Sequence, residues 1–378
     1  MKTSSATCFH AARRVVVKVG SNVLTQDQGL NLKALRAISR QICYLIDHGL
    51  EVILVSSGAM ASGMKKVGLS RRPEDVPQRQ AVAAVGQAGL IMAYEKAFAR
   101  YGKQVAQILL TSDDLTSRQR YLNGRNALHT LLSWGVVPIV NENDTVMVEE
   151  IQVGDNDNLA AMITLLMDAD LLVILSDIDG LFTKDPRAHD EAELIPEVST
   201  FGQRLEQLAG DIPGPLGRGG MLSKIRAAKK VTAAGVPMII ARGNKPDVLK
   251  KLFAGKPQGT FFVPRKARLA SRKSWIAFTL KPKGALTLDA GAVRAIVGNG
   301  KSLLPSGIVG VDGEFGKGAP VRIVGIDGRV LGTGLANYSA GDIRKIQGQK
   351  TSRISDLLGE KPYDEVVHRD NLVLNQED

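Results

Sequence analysis

Residues 153–161 read VGDNDNLAA, so Asp155, Asn156, Asp157 and Asn158 crowd the start of the apolar run Leu159, Met162, Ile163, Leu165 and Leu166. Asp and Asn are good helix N-caps, which accounts for one of the four. The surplus suits gripping a polar ligand or steering a nearby cation. A second cluster, GRGGMLSK at 217–224, places three glycines ahead of a helix expected to begin near Leu222, with Lys224 in its first turn. Backbone N–H groups of such a turn, together with a compact ammonium, suit a phosphate. Lys18 lies inside VVVKVG, an apolar run that normally excludes charge. Two readings fit it: a strand-end lysine whose head reaches solvent along its stem, or a cation aimed at a transferring phosphoryl group.

These residues need elements to converge them. Six short apolar runs recur before residue 240: VVVKVGSN from Val15, EVILVSSGA from Glu51, QVAQILLTSDD from Gln104, GVVPIVNEND from Gly135, DLLVILSDIDG from Asp170 and GVPMIIARGN from Gly235. Their length and β-branched content predict buried parallel strands. Helical patterns alternate with them. One is the stripe Leu32, Leu35, Ile38, Ile42, Leu45 and Ile46, which stops at Gly49. Alternation of this kind predicts an α/β fold with an open, mainly parallel sheet and helices on both faces. Ligands bind such sheets beyond the carboxyl ends of the strands. The clusters at those ends, Lys18-Val19-Gly20-Ser21, Ser56-Ser57-Gly58-Ala59, Asn141-Glu142-Asn143-Asp144 and Ser176-Asp177-Ile178-Asp179-Gly180, can therefore share one rim with VGDNDN and GRGGMLSK. Any single cluster also reads as an ordinary turn.

Composition bounds the rest. The chain has 378 residues, 44% of them apolar and 23% charged, as in a soluble globular protein with two domains. No apolar stretch reaches membrane-span length, and Cys8 and Cys43 are the only cysteines. This argues against a disulfide framework or a Cys/His zinc site and predicts a reducing, cytoplasmic setting with no membrane. The net charge of +11 is concentrated in residues 241–280, which hold ten Lys/Arg against one Asp. That stretch reads as a solvated linker face, so charge gives only weak support for a nucleic-acid partner. From 281 to 350 there are 15 glycines, which predict a small, mainly β barrel with tight turns. Within it, Gly298-Asn299-Gly300-Lys301-Ser302 ends like a P-loop. The required first glycine would be residue 295, which is Ala, so it is rejected as one.

In order, VVVKVGSNVL, ILVSSGAM, VVPIVNENDTV, VGDNDNLAA, LLVILSDIDGLFTKDPR and GRGGMLSKI resemble the amino acid kinase family, and within it the kinases that phosphorylate the γ-carboxylate of L-glutamate with ATP and Mg²⁺. The glycine-rich end resembles a PUA domain. The resemblance implies a kinase domain at 1–265, a basic linker at 266–282, a PUA-like domain at 283–361 and a tail at 362–378. It implies that Lys18 and Lys224 neutralise the transferred phosphoryl group and that Asp157 orients them. It places Ser57, Gly58, Asp144 and Asn156 on glutamate, and Lys18, Ser176, Asp177, Arg218, Gly219, Gly220, Met221, Leu222, Ser223 and Lys224 on ATP. Arg218 stands where the family usually has Thr, Leu222 where a small or hydroxyl residue is common, Ser56 replaces a frequent Thr, and Phe182 replaces Tyr. The resemblance also implies a homo-oligomer (dimer or tetramer) and feedback by proline through residues 112–126, a segment that reads equally as an exposed helix start. The alternatives are an acetylglutamate or aspartate kinase, or an RNA-binding PUA protein.

Overall fold

The computed structural model describes residues 5–26, 29–146, 156–202, 205, 208, 220–256, 258–264, 268 and 270–375. The expected site positions Arg218 and Gly219 lie outside the described residues, as do Asp155 of the VGDNDN motif and 266, 267 and 269 of the expected linker. The chain forms two units, Met1–Arg268 and Leu269–Asp378.

In the first unit, all six apolar runs are strands: β1 (Arg14–Val19), β4 (Glu51–Ser56), β5 (Val105–Leu110), β6 (Val137–Glu142), β7 (Leu171–Ser176) and β9 (Met238–Arg242). The intervening β2 (Thr25–Gln26) and β3 (Gly29–Leu30) form a separate two-stranded sheet. The main sheet runs β5-β6-β4-β1-β7-β9 and ends in two short additions, β10 (Thr260–Phe262) and β8 (Glu197–Val198). Every pair from β5 to β9 is parallel, and only β10 runs antiparallel to its neighbour β9. Central β1 is buried on both faces, as Val15, Val16, Val17 and Val19 show no exposure, and so lacks the alternation of a half-wet strand.

The predicted stripe forms the helix Leu32–Asp47, opened by the Asn31 side chain accepting from the Ala34 N–H at 3.0 Å. Leu35, Ile38, Ile42 and Leu45 enter the core, while Leu32 stays exposed. Helix Ala59–Val67, which follows the Ser57-Gly58 cluster, is locked against helix Val76–Ala99 by two glycines. A Cβ on Gly63 would lie 1.8 Å from the Val82 carbonyl oxygen, and one on Gly86 1.7 Å from that of Ala59. Only glycine permits this approach, which fixes the loop end of β4.

The second unit is a five-stranded mixed sheet of β11 (Ala285–Leu288), β12 (Ile308–Asp312), β13 (Pro320–Gly325), β14 (Val330–Leu335) and β15 (Leu372–Leu374), in the order β12-β11-β13-β14-β15. It closes over its own core, including Leu286, Val321, Ile323, Ile343 and Val367. The stretch expected as a linker carries a helix, Ser271–Phe278, that buries Trp275 and Ile276 and packs on β14 and β15. The stretch expected as a tail supplies β15, paired with β14 through Gly332, Thr333 and Gly334. Part of the basic surplus is also spoken for inside the first unit. Arg242 and Lys245 pair with Asp179, Lys250 lies 4.3 Å over the Tyr44 ring, and Arg268 pairs with Asp170 at 2.9 Å.

Candidate active site

Parallel register brings the strand ends level. Val19 sits beside Ser56 of β4 and Leu175 of β7, and Val55 beside Val140 of β6. Helix Asn156–Leu166 packs against all four of these strands and against helix Met221–Ala233. Almost all of its residues are buried, so its first turn delivers Asn156 and Asp157 into the interior at the rim.

Asp157 is 1% exposed and joins three side chains from two other elements. Lys18 Nζ of β1 lies 2.5 Å from Oδ1, and Lys224 Nζ lies 3.0 Å from Oδ2. Ser223 Oγ donates to the same Oδ2 at 2.6 Å. Burial alone would push the carboxyl pKa up, but the two ammonium groups and the hydrogen bonds hold it well below the usual carboxylate range. Asp157 is therefore ionised throughout the physiological range and fixes the spacing of two lysines on its opposite oxygens. Lys18 does not turn its head to solvent: it is 5% exposed, held between Val55 and Ile174.

A second group centres on Asn156. Its Nδ2 faces three acceptors: Asn141 Oδ1 at 2.9 Å, Ser57 Oγ at 2.9 Å and the Ser56 carbonyl at 3.2 Å. This fixes which way the amide points. Its Oδ1 is buried and, among the described residues, accepts no hydrogen bond. A buried acceptor without a donor is costly unless a ligand supplies one. Ser56 itself is hydrogen-bonded to the buried Tyr94 hydroxyl at 2.8 Å, which anchors the end of β4 from below.

The other expected site residues lie on neighbouring strand ends and at the start of helix Met221–Ala233, where the Gly220 carbonyl accepts from Ser223 Oγ at 3.0 Å. Asp144 opens the single 3₁₀ turn after β6, and burial raises its carboxyl to about 6 although Arg72 pulls the other way. Ser176 and Asp177 close β7. Asp177 accepts from Asn22 Nδ2 at 3.0 Å and from Ser176 Oγ at 3.1 Å. Gly220 precedes helix Met221–Ala233, Met221 is buried, and Leu222 is half-buried. Three partners were given no role from sequence. Asn141 and Asn22 lie within rim motifs but look like turn residues, and Tyr94 lies in a helix far along the chain. Ser223, expected to face nucleotide, is bonded here to Asp157.

The amino acid kinase family model matches residues 13–242, and the PUA domain model matches 284–358. A glutamate 5-kinase from Syntrophus aciditrophicus is 51% identical over 362 residues, which cover 96% of this chain and 94% of that one. Glutamate 5-kinases from Caldanaerobacter subterraneus subsp. tengcongensis (51% identical) and Geobacter sulfurreducens (49%) each cover 96% of this chain and 97% of their own. The chain belongs to the amino acid kinase family, with a PUA domain following in sequence. Within that family it belongs with the glutamate 5-kinases.

Proposed function

We propose that this chain transfers the γ-phosphoryl group of ATP to the side-chain carboxylate of L-glutamate, giving L-glutamyl 5-phosphate, the first step of proline biosynthesis. The buried Lys18–Asp157–Lys224 bridge at the strand rim carries the reading. Phosphoryl transfer is mostly positioning and charge stabilisation. Two ammonium groups held at opposite oxygens of one carboxylate supply that charge from two directions, and a buried site strengthens it. The acceptor carboxyl, which ordinarily titrates at roughly 4.3, is already ionised at neutral pH, so the site needs no general base.

Asn156 and Asp144 bind the amino acid in this reading. The unsatisfied Asn156 Oδ1 accepts from the α-ammonium of glutamate, with Ser57 and Gly58 beside it. Ionised Asp144 adds a counter-charge for the same ammonium. Ser176, Asp177 and the segment from Gly220 to Lys224 border ATP. Among the described residues no group of three or more His, Cys, Asp or Glu could hold a metal. Asp157 has both oxygens engaged by lysines and Ser223. Mg²⁺ therefore fits as a companion of the ATP phosphates, its common mode, and supplies charge neutralisation there.

A homo-oligomer, feedback by proline and a cytoplasmic setting belong to the same reading. Among the described residues no helix is long and apolar enough to cross a membrane. The segment named for proline, 112–126, spans a short helix with a capping box between Thr111 and Asp114 and the start of helix Arg118–Ser133. The test is ADP release by the full chain with L-glutamate, N-acetylglutamate and L-aspartate, with hydroxylamine trapping of the acyl phosphate. Glutamate should be phosphorylated, with N-acetylglutamate and aspartate at least 100-fold poorer. Turnover with either of those and none with glutamate overturns the assignment.

A further inference from the structure

The sequence GNGKS, rejected as a P-loop, has a different role in the fold. Residues Ala290–Val293 form a helical turn that continues as a π-helical stretch, Arg294–Gly298. The Gly300 N–H donates to the Ile296 carbonyl at 3.1 Å and the Lys301 N–H to the Ala295 carbonyl at 3.1 Å, with Gly300 at φ +58°. The Gly300 bond is that of an αL helix stop, which favours a residue at ease with left-handed backbone. The chain turns there and hands Lys301 and Ser302 to a new direction.

A second segment meets it. Leu303 and Val367 form an isolated bridge, with the Leu303 N–H donating to the Val367 carbonyl at 2.8 Å. The Arg369 N–H then donates to Ser302 Oγ at 3.0 Å. The bridge therefore brings Lys301 and Ser302 alongside His368 and Arg369, residues more than sixty positions away. All four line one open cavity of about 680 Å³, within the range of small-molecule sites. Its apolar wall includes Ala292, Ile296 and Leu303. π-Helical turns occur often at functional sites, and this one forms part of the lining.

Charge in the cavity is biased. Among the described residues Lys301 has no ion-pair partner, and the nearest carboxylate to Arg369 is the exposed Asp370 at 4.0 Å. His368 Nδ1 lies 3.5 Å from the same Asp370. The one carboxylate in the lining, Asp289, already accepts from the Ala292 N–H at 2.6 Å as a helix cap.

We propose that this cavity of the second unit binds a small organic anion, with one phosphate or carboxylate head on a compact apolar body. Lys301 and Arg369 hold the head, and the wall of Ala292, Ile296 and Leu303 takes the body. The lining residues all belong to the second unit and include none of the rim residues, so the proposal does not depend on which amino acid the rim phosphorylates.

Ligand-observed saturation-transfer NMR on the full chain tests it, with phenyl phosphate and benzoate as probes and phenol as the control lacking a head group. At least one anionic probe should bind with submillimolar to millimolar affinity, and phenol at least tenfold more weakly. Which anion wins assigns the head group. Lys301→Ala combined with Arg369→Ala should weaken binding at least tenfold, with an unchanged circular dichroism spectrum, as both side chains are exposed. Lys224→Ala, outside this cavity, should leave binding intact. Equal binding by the double variant, loss in Lys224→Ala instead, or no binding by either anion overturns the proposal. So does a single-stranded oligoribonucleotide that binds through Lys301 and Arg369 while neither small anion does.

Discussion

Replacing Asp157 by Asn removes one charge and almost no volume. The carboxylate is 1% exposed and the lysines it separates are 5% and 6% exposed, so Asp157→Asn leaves two buried ammonium groups without their shared counter-charge. Breaking a buried ion pair by removing one partner costs ~3–5 kcal/mol. At ~2–4 °C per kcal/mol for a domain of this size, Tm should fall by ~6–20 °C. Catalysis should suffer separately, because lysines that are no longer held in place stabilise the transferring phosphoryl group less well. A loss of kcat by ~10²–10³ is the scale for removing one such stabilising group. The KM values for glutamate and ATP should move by less.

Stability and catalysis can be separated with a second substitution. Asp157→Asn combined with Lys18→Met removes one of the stranded cations, so melting temperature should recover by several degrees. On the proposed role of Lys18 the kcat should not recover, because the cation assigned to the phosphoryl group is then missing. Differential scanning fluorimetry and steady-state ADP release at 20 °C, below all the transitions, measure both. An Asp157→Asn variant with wild-type kcat, or a double variant whose kcat recovers with its Tm, refutes the reasoning.

Asn156→Ala deletes the orphan acceptor and should raise the glutamate KM by ~5–30-fold, the equivalent of ~1–2 kcal/mol, with ATP KM unchanged. Asp144 has a folded pKa of about 6 against an unfolded value near 3.8, so the folded state holds its proton more tightly. Its stabilising contribution is present below the unfolded value and is lost as pH rises through about 6. If Asp144 binds the glutamate ammonium as proposed, the ionised form is needed, so kcat/KM for glutamate should fall below about pH 6, and Asp144→Asn should flatten that limb. A chain ending at Arg268 should remain folded and phosphorylate glutamate, read by circular dichroism and ADP release. One ending at Lys281 should be less soluble, because it strands Trp275 and Ile276 without the strands that bury them.

The main sheet was legible because burial on both faces writes a strand as a continuous apolar run, as in β1, where only Lys18 interrupts it. The pieces that escaped are short or disguised. β8 and β10 hold two and three residues, too few to show a period. The Ser271–Phe278 helix reads SRKSWIAF, and its basic residues gave a buried Trp275-Ile276 stripe the composition of a linker. β15 is LVL, and its partner strand lies some forty residues back, which no local pattern reveals.

The same division runs through the site. Lysine inside an apolar strand run is an anomaly of residue type, so Lys18 declares itself, and four Asp or Asn side chains at one helix start mark the cluster; which of them meets the lysines was implied only by the family resemblance. Asn141 and Ser223 are ordinary where they stand, and only packing gives them a task. Helix Met221–Ala233 lies against helix Asn156–Leu166, and Ser223 and Lys224, adjacent in its first turn, both reach Asp157 Oδ2. That oxygen thus takes a hydroxyl and an ammonium from one helix while Oδ1 takes an ammonium from β1. A carboxylate held from both sides in this way cannot rotate without breaking a charged contact. Those contacts hold Lys18 and Lys224 on opposite oxygens of one buried carboxylate.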